Sequence, residues 1–173
     1  MADNESKPKV RVRFYRFQNR LKEKAAGTAG FKGSGELPAD LLAEAQAHLE
    51  KMAEDYPDWV TALIDNMADQ HRRCVDTPEK RRTYFEELRR IAHDMRGQGG
   101  TFGYPLISEM AESLYQFTGP NSGMSDNHVE IIKAHIDAMR AVIANRIKGD
   151  GGDTGKQLME GLEQAIQKYG KRR

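Results

Sequence analysis

The stretch Ile91-Ala92-His93-Asp94-Met95-Arg96-Gly97-Gln98-Gly99-Gly100-Thr101-Phe102-Gly103 gathers a nucleophile, cations and very small residues in a short span. A helix with Ile91 and Met95 on its core stripe turns about 100° per residue, so His93, two residues from each, lies about 200° away around the axis. His93 is therefore expected to face solvent or a partner. Positions three, four and seven residues away share its face: Glu86, Arg89, Arg90, Arg96, Gly97 and Gly100. Each glycine within a helix costs about 1 kcal/mol relative to alanine. Tolerating Gly97 and Gly100 beside an outward histidine leaves room for another protein's backbone to come close. The arginines would stabilise an anionic group carried on the ring. An exposed imidazole nucleophile with clearance and a cationic surround is the chemistry of a phosphohistidine site.

Blander accounts exist for each part. The arginines could form a solvated charged face, and the glycines could mark fraying before the turn at Gly103. Neither explains why all of them surround one outward histidine. His48, His71, His128 and His135 show no metal-ligand spacing such as His-x-x-x-His and are expected to be partly exposed structural residues. No metal site is expected. Gly149-Asp150-Gly151-Gly152-Asp153-Thr154-Gly155 lacks the closing glutamate of a calcium loop and the Gly-Lys-Ser/Thr of a phosphate loop, so a flexible turn is expected. Trp59 is assigned to packing.

The elements that must hold this site read as helices. Leu42, Leu49, Met52 and Tyr56 recur at helical spacing, and Pro57 fits the first turn of a second helix carrying Val60, Leu63, Met67 and Cys74. Thr77-Pro78 reads as an N-cap followed by proline at the first helical position. The third helix carries Tyr84, Leu88, Ile91 and Met95, and Gly103-Tyr104-Pro105 should end it. A fourth follows with Leu106, Met110, Leu114 and Phe117 inward. The fifth has Ile132, Ile136, Met139, Ile143 and Ile147, and the last has Leu158, Leu162, Ile166 and Tyr169. Short loops between amphipathic helices favour an all-α, antiparallel up-down four-helix bundle, with an extra N-terminal helix and a C-terminal helix.

Ala92-His93-Asp94-Met95-Arg96-Gly97 followed by Gly103 resembles the signature of the histidine phosphotransfer (HPt) family: Ala-His, an apolar residue two positions on, Lys-Gly at plus three and four, and glycine at plus ten. Arg96 stands where the family usually has lysine, keeping the charge with a different shape. The family often places a ring-bonding glutamine on the following helix. By spacing that position falls at Tyr115, with Gln116 one residue later. The resemblance implies a carrier that receives a phosphoryl group on His93 from a receiver-domain aspartate, or from a hybrid histidine kinase, and passes it to another receiver. Response-regulator receiver domains would then be the partners, supplying Mg²⁺, and the chain would need no cofactor of its own. The alternative is an adaptor that docks receivers or other signalling proteins without transferring phosphate. No ATP-binding signature is visible, which argues for a carrier without kinase activity.

The 173 residues, 38% hydrophobic and 31% charged, suit one amphipathic helical domain plus a tail, divided here as residues 1–35 and 36–173. In the tail, Lys7, Lys9, Arg11, Arg13, Arg16, Arg20, Lys22 and Lys24 outweigh Asp3, Glu5 and Glu23. It reads as a flexible basic segment, with Val10, Val12 and Phe14 able to make a short strand. Nucleic acid is not expected as a partner, and a monomer is favoured over a dimer. A single cysteine excludes an internal disulfide. No stretch approaches the ~20 apolar residues of a membrane span. The N-terminus has charges where a signal peptide needs an apolar run, so the expected location is cytoplasmic.

Overall fold

The structure is a computed structural model that describes residues 39–170; the basic segment 1–35 lies outside the described residues. Five α-helices follow in order: α1 Ala39–Asp76, α2 Arg81–Gln98, α3 Pro105–Phe117, α4 Asp126–Ala144 and α5 Gly152–Tyr169, with a 3-10 turn at Pro78–Lys80 before α2. Among the described residues there is no strand.

The two helices expected on either side of Pro57 are one. α1 runs through the proline, although proline removes a helical N–H and crowds the preceding turn. The residues around it explain the tolerance. Tyr56 and Pro57 are both buried, so packing offsets the lost bond. The carbonyl deprived of its donor belongs to Ala53, which is partly exposed. Thr61 donates its hydroxyl to the Pro57 carbonyl at 2.7 Å.

Pro57 also divides α1 by environment. From Tyr56 onward, Val60, Ile64, Met67 and Cys74 enter the core. Before it, Leu42, Leu49 and Met52 stand 47%, 52% and 54% exposed. These three were expected inside; their helix is amphipathic, but no described element packs on them. Trp59, assigned to packing, is 44% exposed and sits edge-on to Tyr56, ring centroids 5.8 Å apart.

Thr77 makes no side-chain cap, and Pro78 opens the 3-10 turn rather than α2. Arg81, the first residue of α2, does the joining. Its buried guanidinium donates to the Cys74 carbonyl at 2.9 Å, the Met124 carbonyl at 2.7 Å and the Asp126 carboxylate at 2.6 Å. One planar fork thus fastens the end of α1 and the start of α4 to the start of α2.

The core continues with Phe85, Leu88, Ile91, Ala92 and Met95 from α2, and Leu106, Ile107, Met110, Ala111 and Leu114 from α3. α4 adds Val129, Ile132, Ile136, Met139, Val142 and Ile143, and α5 adds Leu162. Ile147 lies past the end of α4 yet still packs against the core, whereas Tyr169 is exposed and leaves the stripe expected of it. His128 and His135 were expected partly exposed and are buried. The His135 ring is satisfied at both nitrogens: Nδ1 meets the Ile131 carbonyl at 2.8 Å and Nε2 the Ser113 hydroxyl at 3.0 Å. His128 Nδ1 meets the Ser125 hydroxyl at 2.8 Å. Both rings stack on Phe117. The segment after α4 turns through left-handed Gly149 and Gly151 (φ 68° and 69°), where a side chain would be strained.

Candidate functional site

α2 ends at Gln98, five residues before the Gly103-Tyr104-Pro105 stop expected of it. Gly99 caps it in helical conformation, and its carbonyl accepts the Tyr104 N–H at 2.8 Å as the chain folds back toward α3. A Cβ on Gly99 would lie 2.6 Å from the Tyr104 carbonyl oxygen and 2.7 Å from Ser108 Oγ. This glycine, not Gly97 or Gly100, is where the protein's own backbone approaches closely. Gly97 stands in the last turn of α2 and Gly100 beyond it, outside the helix; a Cβ on either would meet nothing within 4 Å. Gly100 donates its N–H to Ser108 Oγ at 3.0 Å.

One turn before this tight junction, Ile91, Ala92 and Met95 are buried and His93 is exposed, the phase that the core stripe imposes. Arg96 holds the ring: its guanidinium reaches His93 Nδ1 at 3.1 Å and the Glu112 carboxylate at 2.7 Å. A guanidinium only donates, so Nδ1 accepts, and in the neutral ring the proton sits on Nε2. Gln116 donates to the other oxygen of Glu112 at 2.6 Å. That bond first, then Arg96, holds the Glu112 carboxyl below its ordinary range. Gln116 therefore acts on Glu112 and does not bond the histidine.

Tyr115 faces the imidazole from α3, ring centroids 5.5 Å apart. Two cations lie over its ring, the Arg89 guanidinium 3.6 Å and the Arg96 guanidinium 4.7 Å from its centre. Arg89 also donates to the Tyr115 carbonyl. Arg90 turns away from the group, pairing with Glu87 at 2.7 Å and Asp94 at 3.4 Å along its own helix. The structure thus joins His93 to Arg96 directly, to Arg89 through Tyr115, and to Gln116 through Arg96 and then Glu112.

Sequence reasoning missed Glu112 and Gly99. Glu112, Tyr115 and Gln116 stand at i, i+3 and i+4 on α3, one helical face, and that spacing could have shown Glu112. Nothing local marks Gly99, because its neighbours Tyr104 and Ser108 are five and nine residues ahead across a turn.

The family model of the Hpt domain matches residues 36–142, a span that holds α1 to α3, most of α4 and every residue of this cluster. The chain belongs to the Hpt domain family. Hpt domains are phosphocarriers of two-component signalling and are not kinases. No curated protein and no solved structure matches the chain. Among the described residues of this Hpt protein, no three His, Cys, Asp or Glu side chains are grouped to hold a metal. No described helix is long and apolar enough to cross a membrane.

Proposed function

We propose that this Hpt protein is a cytoplasmic phosphorelay carrier, with His93 as phosphoacceptor. A phosphorylated receiver-domain aspartate, free-standing or attached to a hybrid histidine kinase, is the donor, and a second receiver takes the group on. The helices α1 to α4 form the antiparallel up-down bundle that carries the site, with α5 alongside. The observation that carries this reading is the exposed His93 ring, held at 3.1 Å by Arg96 and flanked by the open positions Gly97 and Gly100.

The ring geometry sets the order of events. With Arg96 on Nδ1, the proton sits on Nε2 and must leave before Nε2 can attack. Arriving phosphoryl oxygens offer Arg96 stronger acceptors than a neutral imidazole nitrogen. As Arg96 turns to them, Nδ1 takes the ring proton through solvent and Nε2 presents its lone pair. The new N–P bond then forms in line as the bond from phosphorus to the aspartyl oxygen breaks, and the carboxylate leaves with the electron pair. The ring proton stays on Nδ1 and no proton is consumed. The receiver supplies Mg²⁺; the carrier supplies a positioned nucleophile and a docking face that includes Arg89, Arg90, Gly97, Gly100 and Gln116.

Incubation with a phosphorylated receiver and Mg²⁺ should give acid-labile, alkali-stable label on the protein. His93→Gln should abolish it. Label retained in that variant refutes the assignment.

A further inference from the structure

Between Ala39 and Asp55 no side chain is buried, and only Ala53 is partly covered. A lone helix of this length is marginal in water. Its apolar residues are nevertheless in strict order. Leu42, Ala45, Leu49, Met52, Tyr56 and Trp59 follow at spacings of three, four, three, four and three, the alternation that keeps one seam facing a second helix. Leu42, Leu49, Met52 and Trp59 are all 44–54% exposed. Tyr56 is already engaged, stacked on Phe102 at 4.9 Å and beside Tyr104 at 5.5 Å. The open seam therefore begins where α1 leaves the core.

The flanks of the seam say what covers it. With Leu42, Leu49 and Tyr56 at a and Ala45, Met52 and Trp59 at d, the e positions are Gln46, Ala53 and Val60, and the g positions are Leu41, His48 and Asp55. Asp40, Glu44, Glu50, Lys51, Glu54 and Asp58 all fall at b, c or f, away from the seam. A basic partner would be met by acids at e and g. An identical strand would be repelled by acids there, because each copy brings the same charges. Flanks almost free of charge, with the acids turned outward, fit a copy of the same helix.

We propose that two copies of this chain pair through the N-terminal half of α1, Leu42, Leu49 and Met52 of each filling the seam and Trp59 closing its end. The carrier then presents two His93 faces in one particle. This replaces the monomer favoured from the sequence, goes beyond the phosphotransfer reading and does not depend on it.

The full chain should sediment as a dimer of its 19.5 kDa chain. Trp59, the only tryptophan, should emit as a shielded indole and shift to longer wavelength on dilution. Leu49→Glu with Met52→Glu should weaken association at least 100-fold while the bundle still melts cooperatively, since both positions are exposed in the single chain. Glu44→Lys, at a c position, should leave the dimer intact. A one-chain mass up to submillimolar concentration overturns the proposal, as does a dimer that survives the double substitution. A one-chain mass whose Trp59 becomes solvated only when residues 1–35 are deleted also overturns it, giving the seam to another segment of the chain. His93 labelling, measured separately on the same variants, keeps failure of the dimer distinct from failure of the phosphotransfer assignment.

Discussion

Alanine at Gly97, Gly99 and Gly100 should separate clearance for a partner from packing within the fold. At Gly97 a Cβ meets nothing within 4 Å and the backbone is helical. Removing glycine there gains up to about 1 kcal/mol of helix stability, roughly a fivefold larger folding constant. At Gly99 the backbone is also helical, φ −54° and ψ −46°, so the same gain applies, but the new Cβ would overlap the Tyr104 carbonyl at 2.6 Å and lie 3.0 Å from the Ser108 N. Both are backbone atoms that a rotamer change cannot move. Relieving such overlap costs about 1–3 kcal/mol, so Gly99→Ala should be net destabilised by up to about 2 kcal/mol. Gly100 is exposed and past the helix, so its stability should hardly change. Thermal melting resolves these differences, because 1 kcal/mol moves the midpoint of a domain this size by about 3–6 °C. Transfer from a phosphorylated receiver should follow a different order. Gly97→Ala places a methyl group on the His93 face, and crowding of about 1.4 kcal/mol at a docked transition state slows transfer about tenfold. Gly97→Ala should thus be the more stable and slower protein. Transfer by Gly97→Ala at the wild-type rate would refute clearance as the reason for that glycine; a Gly99→Ala variant more stable than wild type would refute the packing argument.

Arg96→Ala should slow transfer about 10- to 100-fold, the worth of a hydrogen bond to a charged group. It should lower the melting midpoint by no more than about 3–6 °C, because exposed pairs such as Arg96–Glu112 contribute at most about 1 kcal/mol. Nitrogen NMR of the His93 ring should show Nε2–H as the major neutral tautomer in the wild type and more Nδ1–H in Arg96→Ala; a proton already on Nδ1 in the wild type contradicts the assigned geometry. Burial is the largest cause lowering His71, His128 and His135, so folding stability should be fully present above the unfolded value of about 6.5 and lost as pH falls through the lower folded values. Urea midpoints at about pH 7.5 and about pH 5 test this, and a midpoint unchanged or higher in acid contradicts it. Burial raises the Cys74 thiol to about 11, with Arg81 opposing. Iodoacetamide should therefore label it only after unfolding, and rapid labelling of the native protein would show the site to be open.

How much of this was legible depends on the range of the interaction. The outward phase of His93 follows from Ile91 and Met95, two residues to either side, and helical geometry carries that over so short a distance without error. The signature around Ala92, His93, Gly97 and Gly103 is equally local. By contrast, the break expected at Pro57 failed because local preference disfavours proline in a helix, whereas burial of Tyr56 and Pro57 favours continuity. The buried His128 and His135 were misplaced for a similar reason. Their polarity argued for water, but the Ser113 hydroxyl that reaches His135 and the Phe117 ring that covers both come from α3 and are brought there only by folding.

The amino-acid sequence on its own determined that the chain is helical, where most of its helices lie, and that one histidine escapes the core with cations and glycines around it. Each of these is set by spacing along a single helix. Only the tertiary structure decided that Arg96 reaches Glu112, that Tyr115 meets both Arg89 and Arg96, that Gly99 is the close contact, and that the first half of α1 stands uncovered. Those facts depend on which helix lies beside which, and that is settled by burying all the apolar stripes at once, which no local pattern records.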